Sequence, residues 1–146
     1  MLAEFWRYRM IQQTGQTMTY DDGARVAIRS VAWKIGASGV VTHSSVITED
    51  LGFGAGETIA DDGEVEGTVV DNSSDKYYGV NGTFEITHDL DAAVGVCRLF
   101  LEFSDNDGNW PSDSDDFDIT DLIQIAVLPI DNSGVDKSRA VNFSFE

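Results

Sequence analysis

Several stretches of this chain alternate apolar and polar residues with a period of two, the spacing that turns one face of a β-strand to a core and the other to water. Phe84 and Ile86 alternate with Thr83, Glu85 and Thr87, and Cys97, Leu99, Leu101 and Phe103 alternate with Val96, Arg98, Phe100 and Glu102. Val141, Phe143 and Phe145 alternate with Asn142, Ser144 and Glu146, while Ile123–Ile130 is nearly continuous in apolar character. Residues 5–11, 25–35 and 39–47 are strand-like with less regular alternation.

Turn signals punctuate these stretches at short intervals: Asp22-Gly23, the glycine cluster over 52–56, Asp62-Gly63, residues 71–74, Asn81-Gly82, residues 105–108 and residues 131–134. No 15-residue window keeps apolar positions at the helical i, i+3, i+4, i+7 spacing throughout. The pattern predicts an all-β fold, an antiparallel β-sandwich of jelly-roll-like outline with about eight short strands. One domain over residues 1–146 is expected, with residues 1–12 as an N-terminal docking arm or an edge strand.

Composition sharpens this picture. The 146 residues carry 26 acidic and 9 basic side chains, a net charge of −17, yet 42% are hydrophobic, enough for a core. From Lys34 to Lys76 no other Lys or Arg occurs, and nine acids fall between them. Such a surface repels phosphate, so direct nucleic-acid binding and anionic membranes are excluded as partners. No apolar run is long enough for a membrane span and no secretory signal is visible, so the chain is expected to be soluble and not exported by a signal of its own. The single cysteine, Cys97, sits in an apolar strand and is expected to be a core residue.

The most site-like stretch runs from Ser104 to Asp118. Asp105 and Asp107 alternate with Asn106 before Gly108, as at the start of a calcium loop, and Asp113 follows; these three are the candidate metal ligands. A third ligand before the glycine and a Glu at the twelfth position are missing, and Asp and Asn side chains also cap ordinary turns. No cofactor is expected other than calcium at these residues. Trp110, in the same loop, is the candidate glycan-contact platform, against the alternatives of closing the core or meeting a partner. Gly-rich phosphate loops, metal-spaced His/Cys sets and serine-nucleophile elbows are absent, and an enzyme is not expected.

From Tyr77-Tyr78-Gly79 to Phe145 the chain resembles small all-β structural proteins of tailed bacteriophages. The features that carry this are the strand ending Phe84-Glu85-Ile86, the apolar strand 96–103, the loop Ser104-Asp105-Asn106-Asp107-Gly108-Asn109-Trp110-Pro111 and the closing strand 140–145. The resemblance covers about half the chain. It implies a virion component made in bacterial cytoplasm: a capsid decoration or cement subunit, or a tail or head-tail connector piece, whose partners are other virion proteins and copies of itself. In that setting the basic, aromatic segment Phe5, Trp6, Arg7, Tyr8 and Arg9 is expected to dock on an acidic surface of a neighbour. The reading from another class is a carbohydrate-binding sandwich module using Trp110 and the Asp-rich loop.

Overall fold

The computed structural model describes residues 2–19, 25–51, 57–88, 94–104, 106, 108–113, 118, 122–131 and 137–146, with twelve strands among them. The expected turns at Asp22-Gly23, over 52–56 and over 132–134 lie outside the described residues.

Two antiparallel sheets pack face to face. The first contains β1 (Phe5–Gln13), β7 (Glu64–Glu66), β8 (Val70–Asp71), β10 (Gly95–Ser104) and β11 (Ile123–Ile130), in the order β11-β10-β1 with β7 and β8 along the far side of β1. The second contains β3 (Arg25–Ile35), β4 (Val41–His43), β5 (Ile47–Glu49), β9 (Gly79–His88) and β12 (Lys137–Phe145), in the order β12-β9-β3 with β4 and β5 along the far side of β3. A small ribbon of β2 (Met18–Thr19) and β6 (Thr58–Ile59) adds Met18 and Ile59 to the core. The expected sandwich is present; instead of about eight short strands there are, among the described residues, six long ones and six of two or three residues that pair along β1, β3 or each other.

The core lies between the sheets. Trp6, Tyr8 and Met10 from β1 and Cys97, Leu99 and Leu101 from β10 are completely buried, as are Val26, Ile28, Phe84 and Ile86 from the second sheet. Tyr8 spans the two layers: its ring meets Phe143 edge-on at 5.9 Å between centroids, and its hydroxyl donates to Ser30 Oγ at 2.7 Å. Such a buried pair satisfies both hydroxyls and fixes the sheets in one register.

Two expectations about local structure are corrected. Asn81-Gly82 is not a turn but the middle of β9, opposite Phe143 on β12 and Ser30 on β3. A Cβ on Gly82 would lie 2.6 Å from Phe143 Cζ and 2.7 Å from the Arg29 carbonyl, so glycine is required there by the ring lying over the strand. Residues 39–47 are not one strand. Gly39 takes a left-handed φ of 77° to close the turn into β4, and the strand breaks before β5. At the break Ser44 replaces ladder contacts: its N–H donates to the Ala32 carbonyl at 2.8 Å and its Oγ accepts the Ala32 N–H at 3.0 Å.

Candidate functional site

The densest polar constellation lies on the outer face of the first sheet. Alternation that sends Trp6, Tyr8 and Met10 inward sends Arg7 and Arg9 outward, and strand pairing sets Arg7 opposite Glu102 on β10 and Arg9 opposite Glu66 on β7. Arg7 Nε donates to Glu102 Oε2 at 2.7 Å, and an Arg7 terminal nitrogen lies 2.7 Å from Glu66 Oε2. Arg9 pairs with Glu64 at 2.6 Å and with Glu66, and its Nε is 3.5 Å from Glu102 Oε2. Two guanidinium groups thus meet three carboxylates.

The segment after β10 folds back over this cluster. A 3-10 turn at Pro111–Asp113 brings the Ser112 N–H to Glu102 Oε1 at 2.9 Å, and Arg7 donates to Ser112 Oγ at 3.1 Å. The Trp110 ring lies 4.3 Å from the Arg7 guanidinium carbon, a cation–π stack that shields the pair from water. Glu102 is left with no exposed surface and Arg9 with 2%. Burial alone would push the Glu102 carboxyl up, but the hydrogen bonds from Ser112 and Arg7 and the charge of Arg9 outweigh it and hold the group below its ordinary value. This arrangement acts as a clamp: it ties the loop after β10 to β1 and β7 through matched charges.

The expected docking segment is therefore corrected. Phe5 to Arg9 is neither an arm nor an edge strand; β1 has β10 on one side and β7 and β8 on the other. Trp6 and Tyr8 are in the core, and Arg7 and Arg9 hold acids of their own chain, because a strand with one aromatic face and one cationic face is satisfied by burying both. Trp110 is corrected too. It is 8% exposed and stacked beneath Arg7, so it closes over the clamp instead of offering an open platform.

Of the three candidate metal ligands, Asp105 and Asp107 lie outside the described residues. Asp113 is exposed at the end of the 3-10 turn, where its carboxylate accepts the Trp110 N–H at 3.3 Å. Among the described residues no group of three or more His, Cys, Asp or Glu side chains is placed to hold a metal ion. A cleft of about 410 Å³ beside this loop is lined by Phe103, Ser104, Asn106, Asn109, Trp110 and Pro111. The Ser104 hydroxyl holds its floor by contacting the Asn106 and Asn109 carbonyls.

The sequence motifs did not point to Glu64, Glu66, Glu102 or Ser112. The usable signal was Arg7 and Arg9 themselves: two cations on a strand whose other face is Trp, Tyr and Met require buried acids opposite them. Asn72 was read only as part of the turn over 71–74. It is buried, donating to the Leu2, Ala3 and Tyr77 carbonyls and accepting the Tyr77 N–H, so its amide is a structural staple.

Cys97 is fully buried, and burial pushes its thiol up to about 12. A thiolate-selective disulfide reagent at pH 8 is expected to leave the native protein unlabelled and to titrate one thiol per chain in denaturant. Prompt labelling of the native protein, followed by absorbance, would contradict this placement.

The outer face of the second sheet is a polar ladder: Ser144 donates to Asn81 at 2.7 Å, Thr83 to Asn142 at 2.9 Å, and Thr87 and Ser138 share a bond of 2.8 Å. A shallow cleft of about 530 Å³ runs over it, walled by Arg29 and Val46. No helix is long and apolar enough to cross a membrane among the described residues. No protein-family model matches the chain, and neither a curated protein nor a solved structure is significantly similar to it.

Proposed function

We propose that this chain is a non-enzymatic structural protein of a tailed-bacteriophage virion, a capsid decoration or cement subunit carried in many copies on the shell. The observation that carries the reading is the clamp. Arg7, Arg9, Glu102 and Trp110, the residues best suited to chemistry or ligand contact, are engaged in tying β1, β7, β10 and the loop after β10 together on one sheet of a sandwich that has no disulfide bonds among its described residues. A unit repeated on a shell needs such rigidity more than it needs a site, and it must fold in a reducing cytoplasm. The resemblance of residues 77–145 to phage structural proteins points the same way. The net charge of −17 suits a face turned to solvent and away from packaged nucleic acid.

The major capsid protein is the partner this reading names. Placement in the tail or head-tail connector is the neighbouring alternative. The carbohydrate-binding reading is weakened, because the open aromatic platform it needed is the buried Trp110.

The test is immunogold electron microscopy on particles from a lysate of the source phage or prophage, with antibody raised against the purified chain. Regular labelling over heads is the expected result. Label confined to tails or necks would move the protein to the alternative placement. Unlabelled particles, with the protein free in the lysate, would overturn both.

A further inference from the structure

The outer face of the second sheet carries side chains that the fold does not use. Ile28, Ser30 and Ala32 of β3 face the core, so Arg29, Val31 and Trp33 face outward. Strand pairing sets Thr83 and Asn142 in line with Arg29, and Asn81 and Ser144 in line with Val31. These six residues, apart from Trp33, line the shallow cleft of about 530 Å³, a volume in the range that holds small ligands.

The cleft is rich in unengaged donors. Asn81 Oδ1 accepts the Ser144 hydroxyl and Asn142 Oδ1 the Thr83 hydroxyl, which leaves both amide nitrogens without a partner among the described residues. Arg7, Arg9 and Arg139 pair with acids and Arg98 with two glutamines, whereas Arg29 is exposed and has no partner among the described residues. In a chain with 26 acidic side chains, no acid lines this cleft.

An aromatic surface adjoins it. Trp33 follows Val31 on the same face, about 7 Å further along β3. It is paired with Gly79, where a Cβ would lie 2.7 Å from the indole Cε2 and Nε1, so the missing side chain lets the ring lie against β9. Tyr78 meets this ring edge-on at 6.5 Å between centroids and donates its N–H to the Trp33 carbonyl at 2.8 Å, which holds the residue in place. The indole remains part-exposed.

This chemistry selects an occupant. Free N–H donors and hydroxyls beside an aromatic ring match a sugar, whose rim offers hydroxyl and ring oxygens as acceptors and whose C–H face rests on an indole. The net charge of −17 opposes phosphates and acidic chains and leaves an uncharged ligand unopposed. We propose that the cleft and Trp33 form a binding site for a neutral saccharide, with Arg29, Asn81 and Asn142 donating to its oxygens and Trp33 stacking on a ring. Arg29 to Trp33 spans about 13 Å along β3, so the site accepts more than one linked sugar. It is separate from the loop that carries Trp110, and it goes beyond the structural reading without depending on it.

The test is native electrophoresis of the full chain in gels cast with dextran, a mixed-linkage β-glucan or galactomannan, with alginate as the acidic comparison. Each variant's mobility is read against its own mobility in a gel without polysaccharide, so that charge changes cancel. Retardation by at least one neutral polysaccharide is expected. Arg29→Met and Asn142→Asp should each weaken it at least about fivefold, the scale of one lost hydrogen bond. Both positions are exposed, so circular dichroism should show unchanged folds. Trp33→Ala should abolish retardation, while Val94→Ser, at an exposed site just before β10, should leave it intact. Unaltered mobility in all three neutral gels overturns the proposal, and so does retardation by alginate alone. Retardation that survives both Arg29→Met and Asn142→Asp, or that Val94→Ser weakens as much, overturns it equally.

Discussion

Trp6→Ala lowers the unfolding free energy by about 3–5 kcal/mol, the range for removing a large buried aromatic whose cavity cannot collapse. Trp6 has no exposed surface and meets Tyr8 edge-on at 5.3 Å, and Tyr8 in turn contacts Phe143 and Ser30 of the opposite sheet. Loss of the indole therefore loosens the contact that aligns the layers as well as the local packing. Urea denaturation followed by fluorescence and circular dichroism measures it. An arm-like Trp6 would give a change near zero, so a variant as stable as the parent would remove β1 from the core. Deletion of residues 1–12 follows the same logic: it takes out the strand that β7, β8 and β10 all pair with, and the remaining chain is expected not to fold.

Glu102→Gln is expected to cost about 3 kcal/mol at neutral pH, because it leaves the buried cations Arg7 and Arg9 with less negative charge than they were folded around. Its pH dependence has a definite sign. The folded-state carboxyl lies below its ordinary value of 4.5, so its contribution is full above that value and is lost as pH falls through the lowered folded-state value. The stability difference between parent and variant should accordingly be constant from pH 7 to about pH 5.5 and shrink as the solution is acidified further. Denaturation curves at several pH values measure it. A difference that does not change with pH would mean that Glu102 is not the group whose ionisation the clamp depends on.

The strands that alternate cleanly were legible because their inward positions are apolar and most of their outward ones polar, even where the outward face is covered, as at Phe100 and Glu102. Cys97, Leu99 and Leu101 face the core while Arg98 between them reaches Gln13 and Gln124 at the surface. β1 was legible as a strand but not as an interior one, since both its faces are covered and the cover on its outer face comes from distant segments. Arg7 and Glu102 are 95 positions apart, and Arg9 and Glu64 55. Periodicity within one segment carries no information about such partners. Asn81-Gly82 failed for a different reason: the glycine makes room for the Phe143 ring, a need that belongs to a neighbouring strand. Trp110 and Asp113 were rightly placed in one polar loop, but their orientation depends on Arg7 and on a 3-10 turn that no spacing announces.

The pairing of β1 with β10 also sets the order in which the molecule can be built. β1 leaves the ribosome before every strand it pairs with: its full-length neighbour ends at Ser104, and the shorter β7 and β8 also lie further along the chain. Trp6, Tyr8 and Met10 must remain without the neighbouring strand β10 until residues 95–104 have been made. Folding therefore waits on contacts of long sequence separation, which makes closure of the sandwich slow for a chain of this size. The nascent aromatic strand is a natural client for a chaperone until the second half of the chain arrives.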